Sequence, residues 1–279
     1  MTPLRAVGRL DARQSDPPAE VPMSHPARIP RRRPIHAVLA VLATLLIAGG
    51  PVASSAQATS APLTGIVIAL DPGHNGGNAT HIAEISKKVW IGNAWKPCNT
   101  VGTTTTSGAT EHRFNFRVAS AVKTRLEALG ATVYLTRTSD DGWGPCVNTR
   151  GRFGEKVGAA LLVSIHADGA SSAYHGFVVM KPGIVTGYTD DIAARSTTLA
   201  KAMRAGLVDA GLSIANYYAT TGIKTRTDLG TLNWSDVPAV MVELGNMKNS
   251  GDAALMTTST GRARYADGLV AGIRRFLGR

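Results

Sequence analysis

The chain has 279 residues, 44% of them hydrophobic and 18% charged, with 30 Lys and Arg against 19 Asp and Glu for a formal net charge of +11. That apolar fraction and modest charge density exclude a disordered polymer, and the length excludes a disulfide-stapled mini-protein; one generous globular domain, or two small ones, is expected. Only two cysteines, Cys98 and Cys146, exclude a zinc site built from four thiolates.

The first 58 residues stand apart. Arg31-Arg32-Arg33 precede an uncharged apolar run from Ala37 to Ala48, and Ala56-Gln57-Ala58 follows. A basic region, a short apolar core and a small-x-small exit together read as a secretory signal peptide. The run falls short of the ~20 residues that a spanning helix needs, so no stable membrane span is expected after cleavage. An uncleaved anchor is the competing reading. Residues 1–24 read as an extension, with Met1 and Met23 both possible starts. The division is therefore 1–58 as extension and leader, and 59–279 as a single working domain.

The leader holds seven arginines and three acids, which leaves 23 basic and 16 acidic residues, or +7, for the remainder. Those basic residues are scattered, without a lysine-arginine stripe or interleaved aromatics, so no nucleic acid is expected as a partner. An exported, mildly basic protein is expected to meet an anionic surface such as a cell wall, in the periplasm or outside the cell; a solvated surface with no particular partner is the competing reading. In an oxidising compartment Cys98 and Cys146, both in loop-like stretches, are expected to pair. The bridge would contribute about 3 kcal/mol, and a catalytic thiol is not expected.

Downstream, short apolar runs alternate with amphipathic stretches. Ile66–Leu70 reads as a strand stopped by Asp71-Pro72-Gly73. Glu111 to Leu129 reads as a helix, with Phe114, Val118, Val122, Leu126 and Leu129 on one face, Thr110 as N-cap and Gly130 as stop. Strands follow at Ala131–Thr136, Leu161–Ile165, Gly176–Met180 and Ala239–Val242. Helices follow at Asn148–Ala160, 191–210 and 262–277. Residues 75–110 and 211–235 read as long irregular segments, of the kind that serve as binding loops. The alternation predicts an α/β fold with a mixed, mostly parallel central sheet flanked by helices on both faces.

Three segments fall at strand ends: Asp71-Pro72-Gly73-His74, Ser164-Ile165-His166-Ala167-Asp168 and Val242-Glu243-Leu244-Gly245-Asn246. Ligands of open α/β sheets bind outside the carboxyl ends of the strands, so two imidazoles and a carboxylate converge on one edge. Glu111, opening the first long helix, can reach the same edge. Two histidines and one carboxylate, with a fourth position left for water, form a recurrent catalytic zinc arrangement, and a further carboxylate can act as base. His74 and His166 are thus candidate ligands together with one of Glu111 and Glu243, the other being the base. Spacing alone does not decide between them. His81, His112 and His175 read as surface or loop histidines, and Arg150 as one half of a structural ion pair.

The stretches IVIALDPGHNGG, TEHRFNFRVASAVKTRLEALGATVYLTR, NTRGRFGEKVGAALLVSIHADG and PAVMVELGNMKN run in an order that resembles the amidase-3 family of zinc-dependent N-acetylmuramoyl-L-alanine amidases, over nearly all of 65–278. The likeness is to exported, single-domain actinobacterial members. The resemblance implies His74, Glu111 and His166 as ligands of one Zn²⁺ per chain and Glu243 as general acid/base. It also implies hydrolysis of the amide between N-acetylmuramic acid and L-alanine, with peptidoglycan or its muropeptide fragments as partner. A monomer is the expected state, although the residues say nothing of oligomerisation. Two departures concern the holding of substrate: Asp168 stands where relatives commonly carry Asn, and Asn246-Met247-Lys248 replaces a Phe-containing segment. The competing reading is a non-catalytic peptidoglycan-binding or regulatory protein on the same fold, which typically lacks a ligand or the base.

Overall fold

A computed structural model describes residues 61–279; the leader features and both candidate starts lie outside the described residues. In chain order, β1 (Val67–Pro72) leads into a 3-10 turn (Gly76–Thr80), α1 (Ile82–Ile85) and a hairpin of β2 (Lys88–Trp90) and β3 (Trp95–Pro97). Next come α2 (Glu111–Ala128), β4 (Thr132–Leu135), α3 (Val147–Lys156), β5 (Leu162–Asp168) and β6 (Val178–Pro182). The chain closes with α4 (Ala193–Asp209), β7 (Ile223–Arg226), α5 (Gly230–Asn233), β8 (Ala239–Asn246), α6 (Ser250–Thr257) and α7 (Ser259–Leu277).

Six strands form one sheet in the order β4-β1-β5-β8-β6-β7. All neighbours are parallel except β6, which runs antiparallel to β8. Parallel neighbours need crossover connections, and the helices between strands supply them. Helices α2, α4 and α7 cover one face over a core that includes Ile68, Leu70, Val118, Val122, Leu126, Leu199 and Leu269, all fully buried. Helices α3 and α5 cover the other, over Ala69, Leu162, Leu232 and Met241. With both faces covered, β5 and β8 read as near-continuous apolar runs. The winding leaves β1 toward β4 and returns to β5 on the opposite side, which opens a crevice at the carboxyl ends of β1 and β5.

Several elements differ from the expectation. His166 and Glu243 do not follow their strands; β5 runs on to Asp168 and β8 to Asn246, so both side chains project from within the sheet. The 75–110 segment holds a 3-10 turn, a one-turn helix and a hairpin, and 211–235 conceals β7 and α5. The β7 stretch, Ile-Lys-Thr-Arg, is an edge strand whose burial is partial, so it lacks apolar alternation. Helix α6 also escaped the reading, although Asn249 caps it by accepting from the Gly251 and Asp252 amides. Among the described residues no helix is long and apolar enough to cross a membrane.

Candidate metal centre

The Asp71-Pro72-Gly73-His74 turn is held from beneath by charge. Asp71 is fully buried at the end of β1 and accepts from Arg150 Nη1 at 2.6 Å, from Thr136 Oγ1 at 2.6 Å and from Ser164 Oγ at 2.6 Å. Burial alone would raise its pKa, but the Arg150 charge and the two hydroxyl donors outweigh it and hold the carboxyl below its ordinary range. Arg150 also donates to the carbonyls of Pro72, His74, Gly144 and Pro145. Arg137 donates to those of Pro72, Gly73 and His112. Two guanidiniums thus satisfy every carbonyl from 72 to 74. The backbone they clamp is strained: His74 has φ of 56°, in the left-handed region that non-glycine residues rarely occupy. Gly73 has no alternative, because a Cβ there would stand 2.2 Å from the His166 ring.

His74 Nδ1 lies 2.9 Å from the Thr100 carbonyl, which can only accept, so Nδ1 carries the proton. Neutral His74 therefore presents the Nε2 lone pair, 3.1 Å from Glu111 Oε1. His166 Nδ1 lies 3.1 Å from that same oxygen, and the two rings sit edge to face with centroids 4.9 Å apart. The ligand atoms of His74, Glu111 and His166 all fall within 4.8 Å of one another. Two imidazole lone pairs facing one carboxylate oxygen repel unless a proton or cation sits among them. The donor set, two nitrogens and one oxygen, suits a borderline divalent ion such as zinc.

Glu111 is delivered by the start of α2, where the helix N-terminus favours negative charge. Its carboxylate accepts from the Thr103 and Ala167 amides and from Asn115 Nδ2. Thr110 occupies the N-cap, but its side chain makes no capping bond; the Glu111 amide donates to Thr103 O instead. Burial would raise the Glu111 pKa, yet the two histidines hold it well below its ordinary range. Burial would lower that of His74, but Glu111 raises it. For His166 burial wins and holds the imidazole toward its neutral form.

Glu243 sits in register with His166 on the neighbouring strand, outside the three-residue cluster. Its Oε2 is buried without a hydrogen-bond partner. Burial, then the charges of Glu111 and Asp168, raise its pKa well above the carboxylate range, with Arg226 opposing only in part. The Asp168 departure thus touches the site: its carboxylate accepts from Tyr217 Oη at 2.7 Å, and Tyr217 stacks on Tyr174.

The two cysteines are bonded to each other. Their bridge ties the strand of loop carrying Thr100 to the N-terminus of α3, where Val147 N donates to Cys98 O. Arg150 forms the expected ion pair. His112 and His81 are not idle surface residues: His112 pairs with Asp140 at 2.8 Å, and His81 stacks on Trp143. Sequence reasoning missed Thr100 and Arg137, which act on the site from far along the chain, and Asn115, which bonds Glu111 from one helical turn on.

Comparison with known proteins bears on this geometry. The amidase-3 family model, described as N-acetylmuramoyl-L-alanine amidase, matches residues 68–275. The chain is 38% identical over 238 residues to the N-acetylmuramoyl-L-alanine amidase Rv3717 of Mycobacterium tuberculosis, covering 85% of this chain and 97% of that protein. The crystal structure of the N-acetylmuramyl-L-alanine amidase Ami1 from Mycobacterium smegmatis superposes with a TM-score of 0.73 at 38% identity, over 77% of this chain and 98% of that one. The apo form of Ami1 from Mycobacterium abscessus does so equally, over 77% and 100%. With the family model matching from β1 into α7 and 38% identity over 97% of a curated relative, the chain belongs to the amidase-3 family of N-acetylmuramoyl-L-alanine amidases.

Proposed function

We propose that the chain is an exported, zinc-dependent N-acetylmuramoyl-L-alanine amidase. It hydrolyses the amide joining the lactyl group of N-acetylmuramic acid to L-alanine of the peptidoglycan stem, in wall remodelling or recycling. Residues 1–58 serve as extension and leader, and 59–279 act as the catalytic domain at the wall. The observation that carries the reading is the shared Glu111 oxygen between two imidazoles, with the unpartnered Glu243 Oε2 on the adjacent strand.

In this reading His74, Glu111 and His166 hold zinc, which when bound polarises a carbonyl and makes water acidic enough to attack near neutral pH. Thr100 fixes the His74 tautomer and points its Nε2 inward. Glu243 takes a proton from the attacking water and returns it to the departing amine nitrogen. Its elevated pKa suits the second of these roles. Part of that elevation comes from the Glu111 charge, so neutralising Glu111 brings Glu243 back toward a range in which it accepts protons.

The test uses soluble muropeptide and the full chain. Glu243→Ala abolishes release of stem peptide, read by mass spectrometry as loss of the free lactyl carboxylate product, while one zinc per chain remains bound. Unchanged turnover in this variant refutes the mechanism. A new terminus within the stem, in place of the lactyl carboxylate, refutes the choice of bond.

A further inference from the structure

Several arginines of this protein are engaged by carboxylates. Arg125, Arg137, Arg150, Arg226 and Arg275 each hold a carboxylate at 2.6–2.9 Å. Three others gather in one cavity of about 450 Å³: Arg113 and Arg117 from α2, and Arg262 from α7. No acidic side chain lines that cavity, and among the described residues none of the three has a carboxylate partner. Arg113 and Arg117 are four apart on a helix, so their stems rise from the same face about 6 Å apart. Arg262 is steadied by a bond from Nη1 to the Met256 carbonyl at 3.1 Å. Burial and the nearby Arg117 charge together lower its affinity for its proton. Three convergent guanidiniums repel one another, and an anion relieves that repulsion.

The cavity has two further properties. The buried side chains of Phe114, Met247 and Met256 line it, so it offers apolar surface between the charges. It also adjoins a second cavity of about 610 Å³ through the shared His112, Arg113 and Arg117, and that second cavity reaches Gly76 and Gly77. The combined groove crosses the first turns of α2, whose first residue is Glu111, and ends two residues beyond His74. Asp140 and Asp141 line its second half, a poor lining for a continuous polyanion. Discrete carboxylates on an amino-acid chain match the alternation of charge and apolar surface better than a phosphate polymer does.

We propose that this groove is the subsite for the acidic peptide half of the substrate, with Arg113, Arg117 and Arg262 taking carboxylates of stem residues beyond L-alanine. The assignment rests on the amidase reading above. An extended peptide advances about 3.3 Å per residue, so carboxylates two residues apart match the spacing of the two α2 arginines.

The experiment uses the full chain and two matched muropeptides, one with free stem carboxylates and one with those groups as carboxamides. Arg113→Gln, Arg117→Gln and Arg262→Gln each raise KM for the acidic substrate by about tenfold, with kcat and the amidated substrate little changed. Calorimetric titration with the free acidic stem peptide shows the same loss without reference to turnover. Equal effects on both substrates, or no effect on either titration or KM, overturn the proposal. So does a groove that binds poly(glycerol phosphate) through these arginines while leaving the stem peptide unbound. If wild-type chain binds the acidic peptide through them but hydrolyses neither muropeptide, the amidase reading fails and the subsite stands.

Discussion

Arg150 joins one buried carboxylate to four main-chain carbonyls, and its removal exposes what the turn before His74 costs to hold. Breaking a buried ion pair from one side leaves an uncompensated charge, which destabilises by about 3–5 kcal/mol. Arg150→Gln is expected to lower stability in urea by that order and to weaken zinc binding, because the strained φ of His74 loses its clamp. The pH dependence has a definite sign. Asp71 has a depressed pKa in the folded state, so its contribution is present above the unfolded value near 3.8 and is lost as pH falls through the folded one. In the variant a buried, unpaired Asp71 is relieved by protonation. The stability gap between wild type and Arg150→Gln therefore narrows in acid, and urea midpoints at pH 7 and pH 4 measure it. A gap that widens in acid contradicts the assignment. At this scale the sequence marked His74, His166, Glu111 and Glu243 by their segments. It concealed Thr100, whose carbonyl acts from 26 positions away through the backbone, a group that no residue type advertises.

Between elements, α4 and α7 pack closely. A Cβ on Gly206 would stand 2.4 Å from Gly272 N and 2.5 Å from Gly268 O, so the helices meet backbone to backbone. In an isolated helix Gly→Ala stabilises by about 1 kcal/mol. Here overpacking against rigid backbone dominates, and Gly206→Ala is expected to destabilise by about 1–3 kcal/mol, read as a lower urea midpoint at unchanged slope. Stabilisation would show that the helices part easily. Apolar periodicity made α2, α4 and α7 readable, since each buries a stripe against one face of the sheet. It failed for β7, an edge strand with a polar exposed side, and for the eight-residue α6, whose only signal is its Asn249 cap. Strand ends were misjudged for a related reason. His166 and Glu243 are polar, and polarity reads as termination, yet both occupy mid-strand positions where the sheet edge opens onto the site.

Across the whole molecule, the three candidate ligands come from the turn after β1, from α2 and from β5, so a bound ion links parts of the fold distant in sequence. An ion that binds only the folded chain stabilises it by mass action, about 2.7 kcal/mol at a hundredfold excess over Kd. Chelation is expected to lower Tm, and added zinc to restore it in a concentration-dependent way. His74→Ala is expected to show the same low Tm with or without zinc. A Tm indifferent to chelator in the wild-type chain contradicts the metal assignment. The Cys98–Cys146 bridge, 48 positions apart in sequence, holds the Thr100 loop against α3 independently of the ion.

Composition, periodicity and the strand-end segments were enough to determine the α/β class and to nominate one edge of the sheet, with His74, His166 and Glu243, as the candidate site, and the start of the first long helix added Glu111. These are properties of short stretches, because burial pattern and residue type are written locally. Spacing left open which carboxylate joins the histidines; the family resemblance implied Glu111, and the folded chain brings that residue to them. It placed Glu111 oxygen 3.1 Å from both imidazoles and left Glu243 Oε2 unpartnered beside them. It also gathered Arg113, Arg117 and Arg262 into one cavity, although the third lies some 145 positions beyond the second. Coulomb interactions act through space, and only the folded chain sets the distances over which they act.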